Sequence, residues 1–149
     1  MARFKPVGYA GAMFYLIYSS SATRLLSDEE LAAIHRDAMA GNAKRGITGF
    51  LLYRGGNFMQ LLEGEEAEVR RLFECIHADP RHKDVYVLKE GTRPDRIFSK
   101  WAMGFVHMDK MPGMPTYREF MNESLNSLRF RQDGKLALRL LESFNEMSA

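Results

Sequence analysis

The sequence predicts an α+β fold, a sheet with two helices on one face and further helices on the other. Three observations carry this. Segments of strand period and helix period follow one another in the order βαββαββ. The second and third strands are separated by a Gly-Gly turn that makes them an antiparallel hairpin. An amphipathic C-terminal stretch remains to cover the second face of the sheet. At 149 residues the chain can bury roughly two thirds of its unfolded surface without staples. The order describes a ferredoxin-like sandwich.

The first strand is read from Phe14, Leu16 and Tyr18 alternating with Tyr15, Ile17 and Ser19. It is apolar on both faces, as a central strand must be. Ser27-Asp28-Glu29-Glu30 matches a capping box, which opens a helix by satisfying free backbone donors. This helix is expected to run to about Gly41, with Leu31, Ile34, Ala38 and Asn42 on its inward face and Arg36, Asp37 and Lys44 elsewhere. Residues 47–53 and 58–62 form the hairpin, joined by Arg54-Gly55-Gly56-Asn57. Glu65 and Glu66 open the second helix, where acids favour the positive end of the helix dipole. Its buried stripe is Val69, Leu72, Phe73 and Ile76, with Asp79-Pro80 as the stop. The single cysteine, Cys75, is assigned a packing role on that stripe, in keeping with a reducing cytoplasm. Residues 85–88 read as a fourth strand, 91–99 as a loop and 101–106 as a fifth strand. After a Pro and Met-rich linker, helices are expected over about 117–130 and 133–147, the second with Ala137, Leu140, Leu141 and Phe144 as its apolar stripe.

Composition excludes several functions. The net charge is +2, spread over interspersed acids and bases, so there is no basic block for nucleic acid or a membrane surface. The apolar run at 13–17 is too short to cross a bilayer, and the residues before it lack a signal h-region. The expectation is a cytoplasmic protein. His35, His77, His82 and His107 are dispersed, with no metal-ligand spacing and no nucleophile–base pair. No Gly-rich phosphate loop follows the first strand, which argues against an acylphosphatase-like hydrolase.

Gln60 is the most informative residue, because it interrupts the apolar run Phe58-Met59-Gln60-Leu61-Leu62. An unpartnered buried amide costs roughly 1–3 kcal/mol. Either another side chain or the edge of a heteroaromatic ligand must satisfy it. Period-two alternation places Tyr18 with Phe14 and Leu16, Gln60 with Phe58 and Leu62, and Trp101 with Met103 and Phe105. If these faces meet the helix bearing Asn42, a phenol, two amides and an indole converge on one apolar pocket. Singly, each has an ordinary role: a core tyrosine, a helix-end asparagine, a packed tryptophan, solvated Arg81 and His82. Their joint occurrence carries the argument.

These residues resemble the BLUF domain, the flavin-binding blue-light sensor of bacteria, in its short stand-alone form. The motifs occur in order: Leu16-Ile17-Tyr18-Ser19-Ser20; Gly41-Asn42-Ala43-Lys44 followed by Gly46-Ile47-Thr48-Gly49; Phe58-Met59-Gln60-Leu61-Leu62-Glu63-Gly64; Asp79-Pro80-Arg81-His82; and Trp101-Ala102-Met103. The resemblance implies a noncovalent flavin, FAD before FMN or riboflavin. Asn42 would bond its pyrimidine edge, and Ile34, Ala38, Leu51 and Phe58 would enclose the rings. Asp79, Arg81 and His82 would face its tail. Tyr18 would give up an electron and a proton through Gln60, which ends rotated or tautomerised. Met103 or Trp101 would pass the change on through the fifth strand. The implied protein is a sensor and not an enzyme, with an extension at 1–12, a sensor domain at 13–107 and a helical output segment at 108–149. The output would go to an unidentified downstream protein or to a homo-oligomer. The competing expectation is a flavin-free ferredoxin-like interaction module with Gln60 bonded inside the core.

Overall fold

The structure is a computed structural model that describes residues 12–99, 102–110, 120 and 123–145. Strand β1 (Met13–Ala22) is followed by helix α1 (Asp28–Arg45), the hairpin of β2 (Thr48–Arg54) and β3 (Asn57–Gly64), helix α2 (Glu66–His77), and strands β4 (His82–Arg93) and β5 (Gly104–His107). A 3-10 turn (Met108–Lys110) and helices α3 (Leu128–Gln132) and α4 (Gly134–Asn145) follow among the described residues. The sheet order is β4-β1-β3-β2-β5. All neighbours are antiparallel except β2 and β5, which are parallel.

Local chemistry sets the elements as the sequence suggests, with some differences in extent. The Ser27 hydroxyl accepts from the Glu30 amide while the Glu30 carboxylate accepts from the Ser27 amide. This reciprocal cap starts α1. The helix runs one turn beyond Gly41 and stops at Gly46, which takes the left-handed conformation at φ 69°. Gly55 and Gly56 both have positive φ, as the tight turn between β2 and β3 requires.

Two cores flank the sheet. One face packs Phe14, Leu16, Tyr18, Leu51, Phe58 and Leu62 against Leu31 of α1 and Val69 and Leu72 of α2. The opposite face packs Tyr15, Ile17, Phe50, Leu52, Met59 and Leu61 against Ala137, Leu140, Leu141 and Phe144 of α4. The second face is therefore covered by the C-terminal segment, as expected.

Several expectations are corrected. Strand β4 extends from His82 to Arg93, so residues 91–93 belong to a strand and not to a loop. Strand β5 begins at Gly104, which leaves Met103 just ahead of it. The helix expected over 117–130 is restricted to α3 within the described residues, since 123–127 are not helical. Its remaining residues, apart from Phe120, lie outside the described set, as do Trp101 and residues 1–11. Cys75 is exposed. At 100° per residue it sits roughly 110° from the centre of the stripe made by Val69, Leu72, Phe73 and Ile76, so it has no packing role.

Candidate functional site

The site lies on the sheet face covered by α1 and α2. In the antiparallel ladders Tyr18 stands opposite Gln60, and Gln60 opposite Leu51. Leu51 in turn pairs with Phe105 across the parallel ladder. One row of side chains thus crosses four strands on one face. The Tyr18 hydroxyl donates to Gln60 Oε1 at 2.5 Å. Gln60 Nε2 donates to the sulfur of Met103 at 3.3 Å. Tyr18 and Gln60 are each only 4% exposed, so these two bonds answer the question posed by a glutamine in an apolar run. Sulfur is a weak acceptor, and Gln60 keeps an N–H that Met103 does not use.

Helix α1 supplies the opposite wall. Asn42 is 2% exposed and donates through Nδ2 to the Ala102 carbonyl at 3.2 Å. Its Oδ1 and second N–H are left for another partner. His35 donates through Nε2 to the Met103 carbonyl at 2.7 Å and stacks on Phe105. Two α1 side chains therefore hold the segment that carries Met103. Upstream of it, the buried Glu63 carboxylate accepts from the Ile97 and Phe98 amides at 2.7 and 2.6 Å and from Thr48 at 3.0 Å. Burial pushes the Glu63 carboxyl up, and these hydrogen bonds oppose the rise.

Between the helices lies a cavity of about 210 Å³. Of the residues expected to bind flavin, Tyr18, Ile34, Ala38, Asn42, Leu51, Phe58, Gln60, Asp79, Arg81 and His82 all line it. Met103, expected among them, does not line the cavity and instead accepts from Gln60 behind its wall. Asp37, Gly41, Arg45, Leu72 and Ile76 line it as well, and sequence reasoning missed them. His35 was missed too, because a histidine far from others in sequence gives no signal. Arg81 is gripped by Asp79, with Nη2 to Oδ2 at 2.6 Å and Nε to Oδ1 at 3.1 Å. His82 is tied into the wall: Nε2 donates to the Ile76 carbonyl at 2.5 Å and Nδ1 accepts from the Ser20 hydroxyl at 2.8 Å.

Burial raises the Tyr18 pKa well above that of a free phenol, and the nearby charge of Asp79 adds to the rise. Tyr18 is held as a neutral phenol. Any electron it loses must be accompanied by its proton, and Gln60 Oε1 is the acceptor within reach. No group of His, Cys, Asp and Glu among the described residues is arranged to hold a metal ion, nor is any described helix long and apolar enough to cross a membrane. The donor set fits a flavin: flat apolar walls from Ile34, Ala38, Leu51 and Phe58, and amide groups at Asn42 and Gln60 that match the imide and carbonyl edge of an isoalloxazine ring.

A ferredoxin-like sheet with a Tyr–Gln pair at the wall of an apolar slot between two helices fits the class of flavin-binding domains. Comparison with known proteins agrees, for residues 13–104 match the family model described as "BLUF: Sensors of blue-light using FAD". The chain belongs to the BLUF family. It is similar to the photoactivated adenylate cyclase subunit beta of Euglena gracilis, with 34% identity over 113 residues, 75% of this chain and 13% of that protein. It is also similar to the blue light- and temperature-regulated antirepressor BluF of Escherichia coli, with 39% identity over 75 residues, 50% of this chain and 18% of that protein. The chain thus spans about an eighth of the length of its cyclase relatives. Among solved structures, BlsA in its ground state gives a TM-score of 0.70 at 30% identity, covering 87% of each chain. The dark state of the BLUF protein BlrB gives 0.70 at 26% identity, covering 88% of this chain and 98% of that one. The chain corresponds to the sensor domain of this family and not to a catalytic module.

Proposed function

We propose that this protein senses blue light through a noncovalently bound FAD, with Tyr18 as electron and proton donor, Gln60 as the switching amide and Asn42 as the ligand for the ring edge. The single observation that carries the reading is the Tyr18–Gln60 hydrogen bond at the wall of the cavity. A bound flavin excited by blue light supplies an oxidant able to take an electron from a phenol. Tyr18 then yields its electron and passes its proton to Gln60 Oε1. When both return to Tyr18 the redox balance closes. What persists is the Gln60 side chain, whose carbonyl and amino ends have exchanged roles by rotation or tautomerisation. Its dark contacts to Tyr18 and Met103 are broken together, so the change is two-state and local. Residues 13–107 form the sensor in this reading and residues 108–149 its output segment. The setting is the cytoplasm.

The test is an absorption spectrum before and after blue light. A visible flavin band that moves reversibly to longer wavelength is expected, with full dark recovery. A colourless protein that takes up no added flavin would favour the interaction-module reading.

For output, the support comes from Asn126, which bridges the C-terminal segment to the sheet. Its Oδ1 accepts from the Ser19 hydroxyl at 2.7 Å, and its Nδ2 donates to the Ser21 hydroxyl at 3.0 Å and the Asp84 carbonyl at 3.2 Å. Ser19 adjoins Tyr18 on β1 but points to the opposite face, so a shift of β1 reaches this latch directly. Light is expected to loosen α3 and α4, changing self-association or exposing a surface to a downstream protein. Amide hydrogen exchange should rise over 128–145 in the lit state, and Asn126→Ala, at a cost of about 1–3 kcal/mol, should bring dark exchange there close to the lit level. Protection changes confined to the cavity and β5 exclude this route.

A further inference from the structure

The rim of the cavity contains a cation that the switch does not use. Two rows of α1 face the cavity at i, i+4 spacing. The inner row is Ile34, Ala38 and Asn42, and the outer row is Asp37, Gly41 and Arg45. Across the opening, Asp79 and Arg81 follow the end of α2. The lining therefore has two guanidinium groups among the described residues, and their electrostatic situations differ. Arg81 is held by both oxygens of Asp79 and is also felt by Asp37. Arg45 forms no hydrogen bond or ion pair with any described residue.

The guanidinium of Arg45 lies beside Gly41. A Cβ built on Gly41 would lie 3.5 Å from Arg45 Nη1, so the guanidinium folds back over the glycine, toward the N-terminus as helical side chains lean. Asp37 begins the same row but lies about 12 Å from Arg45 along the axis, too far to neutralise it.

We propose that Arg45, seated over Gly41, is a subsite for the 5′-phosphate of a flavin nucleotide and makes the site select phosphorylated flavins over riboflavin. This rests on the flavin-binding reading above. A guanidinium with no carboxylate partner is free to take a phosphate with two parallel N–H donors, and such charge-assisted bonds are roughly twice as strong as neutral ones. Arg81, already paired through two donors to Asp79, would have to break that pair to do the same.

The test is titration of the flavin-stripped full chain with riboflavin, FMN and FAD at low and raised salt. The wild type should bind FMN and FAD about tenfold or more tightly than riboflavin, with the advantage shrinking as salt rises. Arg45→Gln should bring FMN and FAD down to the affinity that the same variant shows for riboflavin. Arg45→Lys should keep part of the preference. Equal losses for FMN and FAD place the contact at their shared 5′-phosphate, and a loss for FAD alone places it at the diphosphate. Should Arg45→Gln keep the wild-type preference and lose only thermal stability, Arg45 merely complements the C-terminal dipole of α1 and the proposal fails. A wild-type chain that binds flavin and cycles without any preference for phosphate overturns this inference alone. One that binds no flavin overturns the reading beneath it.

Discussion

Tyr18→Phe is expected to keep its flavin and lose the reversible red shift completely. The phenylalanine ring fills the same volume against Phe73, whose ring centroid lies 5.5 Å from that of Tyr18, so the cavity wall survives. What disappears is the hydroxyl that donates to Gln60 Oε1. Without it no proton can follow the electron along this path, and the amide has no cause to reorient. A stability cost of about 1–3 kcal/mol is expected as well, because Gln60 Oε1 loses its donor in a buried site. Light-minus-dark absorption and a denaturant titration check the two effects separately. A wild-type difference spectrum in this variant would move the donor role to another side chain.

The fold was legible because its signals are local. The Ser27 to Glu30 box, the Gly55-Gly56 turn and the alternation through Tyr18 each act within a few residues. The convergence of Tyr18, Asn42 and Gln60 was legible too, since strand alternation and helical spacing fix which face a side chain takes. The outer row of the site was not. Gly41 reads as a helix stop, yet the helix crosses it and ends at Gly46, which is what brings Arg45 to the cavity rim. The length of β4 escaped for a different reason: Lys83, Asp84, Lys89 and Glu90 give an edge strand a polar pattern, and only its pairing with β1 reveals it. Cys75 was misplaced by treating a stripe as wider than its four apolar residues. His35 could not have been found, because its partner is a backbone carbonyl 68 residues away.

Gln60→Leu should bind flavin and show no red shift, with Tyr18 intact. Leucine nearly matches the volume of the glutamine and suits the apolar neighbours Phe58, Leu62 and Leu51, so the cavity should persist. Three bonding capacities go at once: the acceptor for Tyr18, the donor to Met103 and the remaining N–H that a flavin carbonyl would meet. The buried Tyr18 hydroxyl is then left without its acceptor, at a cost of about 1–3 kcal/mol. Tyr18→Phe and Gln60→Leu remove the two ends of one proton path. Both variants lose the shift, and transient absorption should detect no tyrosyl radical in either, since the first lacks the donor and the second lacks the Oε1 that takes its proton. If Gln60→Leu were instead to shift to the red as the wild type does, the change in bonding to the flavin would have to come from a residue other than Gln60, and the exchange of amide ends could not be the switch.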